Sequence, residues 1–176
     1  GRDRTTSLEA CAGDIVGLVN PGRFAIGDSL YSGRPVRFPA IPRFAAERFG
    51  RLRLQGARHK QFDAGVRQLE EEGLMQVLFS ASGGRDPIIG VVGALQFDVI
   101  ESRLRAEYQV ESKTEPLPHV AARWLEGATH DELAGAGRGM MVTTDRTGEV
   151  VLLFESAWNL QYVERENPRV RLLATR

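Results

Sequence analysis

Cysteine is almost missing from this chain: Cys11 is the only one among 176 residues. No disulfide can close within it, and the expectation is a reducing, cytoplasmic setting. Long apolar runs are absent too. Nothing approaches the ~20 apolar residues of a membrane-spanning helix, and the opening GRDRTTSLEA has no apolar signal region, so a soluble, unexported chain without a membrane partner is expected. Net charge is absent, with 23 basic residues against 23 acidic ones. A global field for nucleic acid is thereby excluded, and any RNA contact must come from a local cluster. His59, His119, His130 and Cys11 show no metal-ligand spacing, and Ser80 and Ser82 lie in no Gly-x-Ser-x-Gly elbow. No catalytic residue, metal ligand or cofactor-binding residue is expected.

Asp-x-x-Gly, the pattern of a guanine-nucleotide switch, occurs at Asp14 to Gly17 and at Asp145 to Gly148. A working switch also needs a Gly-Lys phosphate loop and an Asn-Lys-x-Asp base reader, and neither is present. Both aspartates are therefore read as turn residues. The chain by itself is expected neither to bind nor to hydrolyse GTP. GAGRG, Gly135 to Gly139, lacks the strand-before, helix-after order of a dinucleotide loop and reads as a connection.

What is present is a core-forming composition, 42% hydrophobic, with clear periodicities. Residues 12 to 33 alternate short apolar runs with turns such as Asn20-Pro21-Gly22, the pattern of small antiparallel strands. Pro35, Pro39 and Pro42 suit an extended connector. After it, FGRLRL alternates as a strand, and RHKQFDAGVRQLEEEG is a helix with Phe62, Val66 and Leu69 inward and Gly73 at its end. LMQVLFS and PIIGVVG are strands. ALQFDVIESRLRAEY is a helix whose core face is expected to hold Leu95, Phe97, Ile100, Leu104 and Tyr108, and QVESKTE closes the unit. The order is β-α-β-β-α-β. A second round follows: strand HVAARWLEG, short helix THDELAGAG capped by Thr129 and Glu132, a hairpin turning on DRTG, helix AWNLQYVERENP and strand RVRLLAT.

One basic cluster stands out. Arg43, Arg48, Arg51, Arg53, Arg58 and Lys60 are interrupted by a single carboxylate, Glu47. Alternation sends Arg51 and Arg53 to the same solvent face. Pairing of these cations with Glu70, Glu71 and Glu72 is the competing structural reading.

AGDIVGLVNPGRFAIGDSLYSG resembles the closing strands of the β-barrel second domain of translational GTPases. IPRFAAERFGRLRL, KQFDAGVRQLEEEGLMQVLF and IIGVVGALQFDVIESRLRAEYQVE resemble, in order and nearly without gaps, the bacterial release factor 3 family, the class II release factors. GALQFDV is the discriminating motif, because elongation factor G and its ribosome-protection relatives carry Gly-Glu-Leu-His-Leu-Glu where Gln96, Phe97 and Asp98 stand here. The resemblance implies an α+β fold: barrel strands over 1–38, a ferredoxin-like βαββαβ sandwich over 39–116, and a second similar α/β unit over 117–176. It implies a GTPase parent holding GTP or GDP and magnesium in a G domain not found here, and no cofactor in this fragment. Its partners would be the ribosome, through small-subunit rRNA and a ribosomal protein, the G domain itself, and functionally the class I release factors. The six cations are the candidate ribosome contacts. An elongation factor G-like or ribosome-protection fragment, and a paired ferredoxin-like domain that binds a small molecule, are the alternatives.

Overall fold

The computed structural model describes residues 6, 9–19, 24, 27–38, 45–135, 137 and 139–175. The chain divides into two units, Gly1–Pro39 and Ala40–Arg176.

In the first unit the described residues form turns and extended chain, with no strand among them. Asp14 closes a turn: its Oδ2 accepts the Cys11 N–H at 2.8 Å, and its own N–H donates to the Cys11 carbonyl at 3.0 Å. Ile15, Val16, Leu18 and Val19 remain exposed. The strands expected over residues 12 to 33 are thus not formed among the described residues. Among the described residues Ile15, Val16, Leu18 and Val19 meet no second layer, and an unsupported hairpin is marginal in water. Asn20, Pro21, Gly22, Pro39 and Pro42 lie outside the described residues.

The second unit is α+β. Its elements run β1 (Arg48–Gln55), α1 (His59–Glu71), β2 (Gln76–Ser80), β3 (Ile88–Val91), α2 (Leu95–Tyr108), β4 (Glu111–Leu117), β5 (Ala121–Glu126), β6 (Met140–Thr144), β7 (Val150–Phe154), α3 (Ala157–Glu166) and β8 (Arg171–Leu173). All strands join one antiparallel sheet ordered β4-β1-β3-β2-β6-β7-β5-β8. The segment THDELAGAG supplies only a three-residue 3-10 turn, His130–Glu132, although the Thr129–Glu132 capping box forms. It ends where Leu133 becomes extended, at φ −75° and ψ 121°, and the glycines at 135, 137 and 139 that follow adopt positive φ.

Strand alternation sorts the side chains into three cores. Leu52, Val77, Ile89 and Val91 point to one face and are covered by Phe62, Val66 and Leu69 of α1 and Ile100 and Leu104 of α2. Leu152 and Phe154 of β7 and Leu125 of β5 are covered by Leu160 and Val163 of α3. The opposite face of both halves is shared, where Phe49, Leu78 and Ile88 pack with Ala122, Val151 and Leu153. The sheet therefore bends until its own inner faces meet, with a helical layer outside each half.

Helix α2 departs from its expected face at one end. Ile100 and Leu104 are fully buried and Phe97 and Tyr108 are partly so, but Leu95 is 79% exposed. Gln96 is the residue drawn inward: its Oε1 accepts the N–H groups of Val92 and Gly93 at 2.9 and 3.0 Å, and its Nε2 donates to the Leu74 carbonyl at 3.4 Å. Satisfying those turn amides sets the helix start and leaves Leu95 outside.

Candidate functional site

The basic segment lies along β1 and the start of α1. Arg43 is outside the described residues. Arg48 opens β1, exposed, and its guanidinium donates to its neighbour's carbonyl, Glu47 O, at 3.2 Å. Arg51 and Arg53 share the face of β1 that carries Phe49, because all three occupy odd positions of one strand. Arg51 stands opposite Ile88 on β3 and Glu115 on β4, is half-buried, and reaches toward Gly84 in the β2–β3 turn. Arg53 pairs with Glu115 at 2.9 Å, both side chains about half exposed at 50% and 52%. Such a pair is screened and contributes little to stability.

Arg58 and Lys60 lie elsewhere, at the N-terminal end of α1. Arg58 donates to Gln109 O and Oε1 at 3.3 and 3.4 Å, and Lys60 is exposed. The first turn of α1 holds no acidic residue. Cations there add to the positive end of the helix dipole, which is unfavourable for the helix and favourable for an approaching anion. Among the described residues, Arg48, Arg51, Arg58 and Lys60 form no ion pair with a carboxylate. The fold thus distributes the five described cations of the cluster over a sheet face and a helix end.

Two of the three glutamates at the end of α1, the alternative partners for these cations, are engaged by other residues. Glu70 pairs with Arg146 at 2.6 Å, and Glu72 pairs with Arg103, which also grips Glu107. Hydrogen bonds to Glu107 and then Glu72 push the Arg103 guanidinium up, and the bond from Arg103 holds the Glu72 carboxyl below its ordinary value. These long-range partners, Arg146 above all, had no sequence signal. Among the described residues no cluster of three potential ligands for a metal ion is present, and no helix is long and apolar enough to cross a membrane.

The second Asp-x-x-Gly is a hairpin turn. Asp145 Oδ1 accepts the Thr147 N–H at 2.9 Å, the Thr147 hydroxyl at 2.7 Å and the Glu149 N–H at 3.0 Å, while Oδ2 accepts Trp124 Nε1–H at 3.0 Å. Burial pushes this carboxyl up, but bonds from Thr147, Trp124 and the turn amides together outweigh it and hold the pKa below the ordinary 3.8. A depressed folded pKa stabilises fully above the unfolded value and is lost as pH falls through the folded one. Asp145→Ala is therefore expected to cost about 1–3 kcal/mol near neutrality, with the difference from wild type shrinking at pH values below 3.8. Urea midpoints measured against pH check this, and a pH-independent difference would contradict it.

Comparison with known proteins matches the sequence to a family. Residues 38–164 match the model described as Class II release factor RF3, C-terminal domain. The chain is similar to the peptide chain release factor 3 of Symbiobacterium thermophilum, 44% identical over 99% of this chain and 33% of that protein. Similar relatives of the same name occur in Synechococcus elongatus, 45% identical over 98% of this chain and 32% of the relative, and in Gloeobacter violaceus, 44% identical over 97% and 33%. The chain spans about a third of the length of the curated relatives it matches.

Proposed function

Because the chain belongs to the class II release factor RF3 family, through its C-terminal domain, we propose that it is the ribosome-docking region of a longer GTPase that recycles class I release factors in translation termination. The observation that carries this reading is similarity along nearly the whole chain, 44% identity over 176 residues, to a protein named peptide chain release factor 3. The elongation factor G-like and small-molecule readings are not favoured by these relatives. In this proposal GTP or GDP and magnesium belong to a G domain of the parent, since no phosphate loop exists in these residues. The finer architecture follows the same reading: residues 1–38 as the end of a β-barrel domain, 39–116 as a ferredoxin-like unit and 117–176 as a second unit of that kind. The observed sheet order β4-β1-β3-β2 supports the ferredoxin-like description.

Arg51 and Arg53, with Arg43, Arg48, Arg58 and Lys60 around them in sequence, are the proposed contacts to small-subunit RNA or a ribosomal protein. What supports this is their position on one strand face and the lack of a carboxylate partner on Arg51. In a full-length release factor 3 carrying this chain, Arg51→Glu with Arg53→Glu is expected to weaken ribosome binding and flatten its dependence on log salt by roughly one unit for each phosphate no longer neutralised. GTPase activity serves as the folding control. Wild-type affinity with an unchanged salt slope removes this segment from the interface.

A further inference from the structure

The second half of the sheet carries a cleft whose charged side chain, among the described residues, is a carboxylate, Glu155. The pairing of β2 with β6 ends at Ala81, whose N–H donates to Val142 O at 3.1 Å, and the chain then turns away through the Gly83 N–H to Ser80 O bond at 3.1 Å. Met140 and Met141, the first two residues of β6, consequently have no β2 residue paired beside them. A cleft of about 420 Å³ opens at this point, lined by Ser82, Met140, Met141, His119 and Glu155 among others. That size lies within the ~300–1,000 Å³ of ordinary ligand clefts.

Two titratable side chains line it, and one of them has a buried atom without a partner. His119 is only 4% exposed, yet its buried Nδ1 has no hydrogen-bond partner. Glu155, just beyond β7, is exposed and has no cation partner among the described residues. Burial holds the His119 imidazole below its ordinary range, with the Glu155 charge pulling the other way. Among the described residues the cleft therefore offers a carboxylate, an imidazole and a short free strand edge, with Met141 packed against the inner core and Met140 against the core under α3. A free edge accepts an extended backbone. An anionic ligand would meet the Glu155 carboxylate.

We propose that this cleft binds an extended basic segment of a partner protein, its backbone beside Met140 and Met141 and one arginine or lysine side chain against Glu155 and His119. The site does not depend on the reading of Arg51 and Arg53, which face ligands of the opposite charge. The probe is an acetylated, amidated pentapeptide alternating threonine and arginine, titrated into the chain with amide and imidazole resonances followed by NMR. Saturable shifts at Met140, Met141 and His119 are expected, with affinity about tenfold weaker for Glu155→Gln because a charge-assisted bond is removed. The same peptide with glutamate in place of arginine is expected to produce no shifts, and Arg51→Glu is expected to leave the affinity unchanged. Equal affinity of wild type and Glu155→Gln, shifts confined to other surfaces, or no saturable response would each overturn the proposal. Unchanged amide dispersion in Glu155→Gln establishes that any loss is not unfolding.

Discussion

Leu104→Ala is expected to destabilise the second unit by about 2–5 kcal/mol, the range for a buried leucine whose site cannot collapse. Leu104 is fully buried in the core between the sheet and the two helices α1 and α2. Its surroundings are tight on the α1 side, where a methyl group added at Gly65 would lie 2.6 Å from Leu104 Cδ2 and 3.0 Å from the Tyr108 ring. Glycine at 65 lets the two helix backbones approach, and Leu104 fills what remains between them. Phe62, Val66 and Leu69 are each fixed to the sheet on the same core, so they cannot move in to fill the vacancy. Urea or guanidinium denaturation reads the effect. Leu95→Ala, at a position 79% exposed on the same helix, is the control and should stay within about 0.5 kcal/mol of wild type. An unchanged midpoint for Leu104→Ala would mean that this helix face is open to solvent.

Phe49→Ala is expected to cost about 3–5 kcal/mol, and the unfolding it accelerates should involve both halves of the sheet together. Phe49 sits on β1, 1% exposed, in the inner core that also contains Ala122 of β5 and Val151 and Leu153 of β7. Removing the ring opens a void bounded by strands from both halves. A site that both halves support loses stability in both, which favours one cooperative transition. Trp124, packed against this core, reports on the second half once the exposed Trp158 is replaced by phenylalanine. Fluorescence of that single tryptophan and far-ultraviolet circular dichroism should give the same midpoint and shift together in Phe49→Ala. Separate transitions would show that the halves are independent domains and that the shared core is not their main joint.

Local order is readable from sequence because it rests on local chemistry. Phe62, Val66 and Leu69 recur at helical spacing, Gly73 adopts the positive φ of +74° that ends α1, and the Thr129–Glu132 box closes as its two residue types require. The turn role of Asp145 follows from its own side chain reaching amides two and four residues on. Leu95 departs from its expected face because periodicity counts apolar residues and not the hydrogen-bonding needs of a turn, which Gln96 meets. The candidate cations are visible as a cluster in sequence. Their division between a strand face and a helix end, and the capture of Glu70 by Arg146, depend on residues distant along the chain.

Residue pattern alone determined that this chain has strands and helices in the order β-α-β-β-α-β, that its second half turns on Asp145 to Gly148, and that no phosphate loop is available in it. Tertiary structure decided that β2 pairs with β6 to make one sheet of eight strands, and that the inner faces of its halves form a common core. Periodicity specifies which face of a strand is apolar but not which distant strand lies beside it, since edge hydrogen bonds are made by backbone groups common to every residue. The cleft at His119 and Glu155 arises in the same way. It exists where β2 turns away before reaching Met141, a mismatch of strand lengths that belongs to the pairing and to neither strand by itself.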